Sequence, residues 1–125
     1  MTEKKLLILL REVVSARAGG RCEFPGCKNT DCDPHHTGGR GNAVKYDPDT
    51  CMNLCSGHHT SGAISAHGKP EIFKQIIIES GVRSAEWFDE VNRKKNLYAK
   101  DGPDDREKWK ERLQNELIRS EVING

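Results

Sequence analysis

The chain lacks a long apolar run. Its longest, Leu6 to Leu10, stops at Arg11 and Glu12, well short of the about 18 apolar residues that a membrane span takes. It is also too short for a secretory signal core and has no small-residue cleavage site after it, so a cytoplasmic protein is expected. Large apolar residues are scarce: Leu, Ile, Val and Phe total 25 of 125, near the level at which burial alone cannot offset chain entropy. No charge dominates, with 20 Lys and Arg against 19 Asp and Glu. The charge signature of disorder is therefore missing, and so is the basic excess of a dedicated nucleic-acid binder. Any contact with nucleic acid must be local. A chain of 125 residues sets an expectation of one domain. One this poor in core residues calls for a staple, such as a structural metal.

What is present is unevenly placed. Residues 1–20 read as an amphipathic helix, with Leu6, Leu10 and Val13 on one stripe and Gly19-Gly20 to end it. Residues 21–68 hold all five Cys and all five His. Their turn residues predict a β-hairpin over about 31–36 and 42–46, with a short helix after Cys55. Residues 69–125 read as a helical extension. Pro70 opens a helix running to about Glu79, and Ser84 caps the next, with Trp87, Phe88 and Val91 inward. Asp104-Asp105 begin the last helix, whose stripe of Trp109, Leu113 and Leu117 is core or a homodimer face. Together these predict an α+β fold, the three parts packing as one compact domain. Arg93, Lys94 and Lys95 form the densest basic run, read here as a solvated helix face beside Asp89 and Glu90.

Cys22-x4-Cys27 and Cys55-x2-His58 have the form of two knuckles, separated by 27 residues. Each brings two ligands to one tight turn, and four such ligands suit tetrahedral zinc. Free thiols in a cytoplasmic protein also favour metal over disulfides. Cys51 is an alternative member of the set, replacing His58 or Cys55, and Cys32 is expected to pack in its strand. Four histidines then remain: His35, His36, His59 and His67. Imidazole serves near pH 7 both as general base and as metal ligand.

The order Cys22-x4-Cys27, Asp33-Pro34-His35-His36-Thr37-Gly38-Gly39-Arg40, Tyr46-Asp47-Pro48-Asp49 and Leu54-Cys55-Ser56-Gly57-His58-His59 resembles the HNH (ββα-metal) endonucleases. The likeness covers roughly residues 17–67, and the tail faintly resembles phage recombination proteins of the NinG kind. The resemblance implies a small zinc-stapled ββα-metal core at 21–68. In it His36 is the general base, His35 and His59 bind a catalytic divalent cation, and Arg40 holds a phosphate. His67 is a third ligand, though eight residues along a straight helix separate two side chains by about 12 Å, so a break at Gly62 must fold it back. Asp33 is a rival ligand or a partner orienting a histidine. The family's central Asn falls at Thr50 here. Either Thr50 or a shifted Asn53 fixes the loop and orients the base, with Asn53 as a plain turn residue the other reading.

The implied activity is metal-dependent hydrolysis of DNA phosphodiester bonds, with structural Zn²⁺ and catalytic Mg²⁺ or Mn²⁺/Ni²⁺. Arg40 and Lys45 would clamp backbone phosphates. The partner would be DNA, duplex or branched. The NinG likeness implies a phage-encoded, structure-selective enzyme acting in a bacterial host. A non-catalytic zinc module that binds DNA is the competing expectation, and the Thr50 departure is the feature that supports it.

Overall fold

In the computed structural model, which describes residues 1–124, helix α1 covers Glu3–Arg17. Thr2 caps it, its hydroxyl accepting from the Lys5 N–H at 3.2 Å. At the other end Gly20 N–H donates to the Ser15 carbonyl at 2.8 Å and Gly19 N–H to that of Ala16 at 3.2 Å. Both glycines have positive φ, 65° and 75°, which completes a Schellman stop. The expected stripe is the buried one: Leu6, Leu10, Val13 and Val14 face inward.

Strand β1 (Cys32–His36) pairs antiparallel with β2 (Cys51–Cys55), Cys32 opposite Cys55 and His36 opposite Cys51. This corrects the expected hairpin, because residues 42–46 are not a strand. The Val44 and Lys45 N–H groups both donate to the Gly41 carbonyl, at 3.1 and 2.9 Å, and the Asp47 N–H donates to that of Val44 at 3.0 Å. Val44 and Tyr46 are both buried. They point inward from successive turns, and this imitates the alternation of a half-buried strand. All five residues of β2 are buried, so it carries no alternation to read. Cys51 packs with α1, whereas Met52 and Leu54 pack with Phe73 and Ile77.

A single π-helical turn, Gly57–Ser61, follows β2. Helices α2 (Pro70–Glu79), α3 (Ala85–Lys95) and α4 (Pro103–Asn124) complete the fold. Ser84 caps α3 as expected, accepting from the Trp87 N–H at 3.1 Å. On α3, Val91 is buried, while Trp87 and Phe88 are half-buried against the sheet cluster. Helix α4 lies on α1, with Leu113 fully buried and Trp109 and Leu117 packed around it. Its stripe is thus core of this chain.

Polar ties reinforce a modest apolar core. The Arg17 guanidinium donates to Glu116 at 2.6 and 2.7 Å and to Asp49 at 2.9 Å, joining α1, α4 and the turn before β2. Asp101 accepts from Arg106 at 2.7 Å, Lys45 at 3.0 Å and the Tyr46 hydroxyl at 2.9 Å. These donors, Arg106 foremost, hold its carboxyl well below the usual carboxylate range. In the basic run, Arg93 pairs with Glu90 at 2.5 Å and Lys94 with Asp47 at 3.2 Å. Arg93 and Lys95 are exposed as a solvated face would have them, whereas Lys94 is half-buried and drawn in to Asp47. Among the described residues, no helix is long and apolar enough to cross a membrane.

Candidate metal centres

The first knuckle is shaped by backbone bonds. Cys27 N–H donates to the Phe24 carbonyl at 3.0 Å, with Gly26 at φ 77° in the turn, and Cys22 N–H donates to Asn29 at 2.8 Å. The second knuckle joins the end of β2, at Cys55, to His58 on the π turn. One ligand atom from each of Cys22, Cys27, Cys55 and His58 lies within 4.8 Å of the others. His58 Nδ1 is 3.6 Å from the Cys22 sulfur and 3.3 Å from that of Cys55, and the Cys27 and Cys55 sulfurs are 3.9 Å apart. Tetrahedral zinc, with bonds of about 2.3 Å to sulfur and 2.0–2.1 Å to nitrogen, needs separations of about 3.6 to 3.8 Å. The donor set therefore fits, and the cluster could bind a metal such as zinc. The Phe24 ring lies flat on His58, 3.9 Å between centroids and 6° between planes, and so fixes the imidazole's direction.

Burial pushes the Cys22 thiol up to about 12. At Cys55 burial acts the same way, but hydrogen bonds from Asn29 and His58 outweigh it and draw the thiol down to about 6. Cys51 stands outside the set. It packs under α1, its thiol donating to the Asp47 carbonyl at 3.5 Å, and burial raises it to about 12. Cys32 packs in β1 as expected, its thiol bonded to the Asn29 carbonyl at 3.4 Å.

Asn53 serves the first knuckle. Buried opposite Pro34, it donates from Nδ2 to the Arg21 carbonyl at 3.0 Å, and its N–H donates to Glu23 at 2.6 Å. Glu23 N–H returns a bond to the Asn53 carbonyl at 2.8 Å. Thr50 instead holds the segment after His36. Its carbonyl accepts from Thr37 N–H at 3.2 Å, and its hydroxyl donates to the Asp47 carbonyl at 2.9 Å. Of the two expected stand-ins, Thr50 is the one tied to the His36 loop.

A second cluster joins three separate segments. His35 of β1, His59 of the π turn and His67 of the following loop bring ring nitrogens within 4.8 Å of one another. The Nε2 atoms of His59 and His67 are 3.1 Å apart, and the His35 ring centroid lies 5.2 and 5.1 Å from theirs. The expected break at Gly62 is what returns His67. The chain doubles back, with His67 N–H on the His59 carbonyl at 3.1 Å and Ala66 N–H on that of His58 at 2.8 Å. A Cβ at Gly62 would overlap the Gly57 carbonyl oxygen, so only glycine allows this approach. Ser65 pins the return, its hydroxyl donating to the Thr60 carbonyl at 3.2 Å and accepting from Gly68 N–H at 2.9 Å.

The chemistry of this cluster suits a cation. His35 Nδ1 is buried and has no hydrogen-bond partner. Burial, and then the neighbouring imidazoles, push His35 down to about 3. Burial and His67 lower His59 too. Both rings stay neutral at pH 7, the form that ligates metal. Asp33 is not in the group: it pairs with Arg11 at 3.1 Å.

His36, next to His35 on the strand, takes a different partner. Its Nε2 lies 3.1 Å from the Lys45 carbonyl. A carbonyl only accepts, so Nε2 carries the proton of the neutral ring and Nδ1 keeps its lone pair. Burial, and then Arg40, lower its pKa. His36, His59 and Arg40 line one open cavity of about 530 Å³, bounded on one side by α1. Arg40 is exposed and forms no ion pair among the described residues. Lys45, expected beside it as a phosphate clamp, is instead committed to Asp101 at 3.0 Å and Glu3 at 3.4 Å. Sequence reasoning missed the α1 wall and Phe24, because neither carries a spacing that points to the site. Comparison with protein families, with curated proteins and with solved structures found no match in any of the three.

Proposed function

We propose that the protein is a metal-dependent endonuclease hydrolysing DNA phosphodiester bonds, in the manner of the HNH nucleases its motifs resemble. One observation carries the reading: three imidazoles from separate segments converge beside His36, and one of them, His59, shares a cavity with His36 and the unpaired Arg40. The antiparallel pair β1–β2 followed by the π turn supports it, since these elements deliver His35, His36 and His59 in the order of a ββα-metal core. In this reading Thr50, through its bonds to Asp47 and Thr37, replaces the family's Asn in bracing the loop.

His35, His59 and His67 would hold the divalent cation. When bound, the cation neutralises charge on the phosphate and on the leaving oxygen. Imidazole donors tilt the choice toward Mn²⁺ or Ni²⁺ over Mg²⁺, which phosphate and water oxygens can still complete. His36 takes the proton of the attacking water on Nδ1, while the Lys45 carbonyl fixes its tautomer through Nε2. Arg40 holds a phosphate oxygen on the cavity rim. The Cys22, Cys27, Cys55, His58 site with zinc would fix the end of β2 and the turn that carries His59.

The test is cleavage of supercoiled, linear and branched DNA with EDTA, Mg²⁺, Mn²⁺ or Ni²⁺. Cleavage should require the divalent ion and fall about 10²- to 10⁴-fold in His36→Ala, with zinc content unchanged. Undiminished cleavage in that variant overturns the assignment. Zinc content without divalent-dependent cleavage of any substrate leaves a DNA-binding zinc module in its place.

A further inference from the structure

The cavity shared by His36, His59 and Arg40 has a second wall that the hydrolytic chemistry does not use. Helix α1 and Pro34 face it with Leu7 and Ile8, and Ile8 is 51 % exposed. The cavity's two carboxylates are already neutralised, Glu3 by Lys45 at 3.4 Å and Asp33 by Arg11 at 3.1 Å. Lys4 and Arg40 form no ion pair among the described residues and leave it cationic. One cavity of about 530 Å³ thus combines an aliphatic wall with a cationic rim, a size suited to a small organic group rather than a rigid double helix.

We infer that this wall receives an unpaired nucleobase next to the phosphate held by Arg40, so that the substrate is DNA with unpaired nucleotides. The inference rests on the nuclease reading for the position of the phosphate. A stacked, paired base buries its faces against its neighbours and offers nothing to Leu7, Ile8 and Pro34, whereas an unstacked base offers a broad apolar face to them. Charge points the same way. Lys4 and Arg40 are the cavity's only unpaired cations among the described residues, too few for strong counterion-release affinity to a duplex backbone there. Affinity must then come from contact with bases, which single strands expose.

The experiment is fluorescence anisotropy of a labelled oligo-dT strand and of a duplex of equal length. The zinc-loaded protein is used without added divalent ion, as wild type, Ile8→Asp and Ile8→Leu. Wild type should bind the single strand at least about fivefold tighter than the duplex. Ile8→Asp should lose about tenfold in single-strand affinity and abolish the preference, while Ile8→Leu, which keeps an aliphatic surface, should retain it. Equal binding of both forms by wild type overturns the inference, as does unchanged single-strand binding by Ile8→Asp. Either result alongside divalent-dependent cleavage leaves the nuclease reading standing. A preserved, Ile8-dependent preference in a protein that cuts no DNA supports the nucleobase site and overturns the nuclease reading alone.

Discussion

Gly62 decides whether the third imidazole arrives. A side chain there would meet the Gly57 carbonyl, and the loop returning His67 to His59 would have to open. Gly62→Ala is therefore expected to weaken Mn²⁺ binding at the histidine cluster about 10- to 100-fold, a cost typical of disturbing a ligand's support. Zinc content is a second readout, because the residue that the new side chain would meet, Gly57, lies between the zinc-site residues Cys55 and His58. Calorimetric titration with metal analysis checks this, and wild-type Mn²⁺ affinity in the variant would contradict it. Much of the site was legible at this scale. Cys22, Cys27, Cys55 and His58 could be paired because knuckle ligands lie close together in sequence. His67 could not be placed from its spacing, since eight residues along a helix and eight around a glycine-broken loop lead to different points. Asp33 and Lys45 looked free to act because sequence does not reveal the ion pairs with Arg11 and Asp101 that occupy them.

The helices followed their punctuation. Gly19-Gly20, Pro70 and Ser84 mark the ends they were expected to mark, because capping is a local matter. The sheet did not follow so simply. Its second strand is the fully buried run Cys51–Cys55, while the segment expected as a strand, 42–46, is a chain of turns braced by Tyr46 on Asp101. Pairing partners distant in sequence leave no local mark when both faces of a strand are covered. The α4 stripe raised a choice between core and dimer face, and its packing on α1 favours core. Leu113→Ala should accordingly cost about 2 to 5 kcal/mol in urea unfolding, the range for a buried leucine. Ile118→Ala, at a position 57 % exposed, should stay within about 0.5 kcal/mol. A stability loss at Leu113 that disappeared on dilution would instead point to a dimer.

At the scale of the whole molecule, a chain with few large apolar residues carries two clusters of side chains that could hold metal ions, one at each side of the turn after β2. His58 belongs to the first cluster and its neighbour His59 to the second. Order imposed at the cysteine cluster is thereby passed one residue along, to the imidazoles beside His36. Helix α1, distant in sequence, forms one wall of the cavity that His36 and His59 line. Its position depends on tertiary packing against the sheet and α4, which no motif in the helix announces. Arg17 supports the arrangement by tying the end of α1 to Asp49 and Glu116. The account stands most directly on the second cluster's being a cation site. Calorimetric titration of Mn²⁺ into zinc-loaded protein measures this, comparing wild type with His35→Ala and His67→Ala. One Mn²⁺ per chain in wild type, lost or strongly weakened in both variants, is the predicted result. No uptake beyond zinc, or equal uptake in all three proteins, would contradict it.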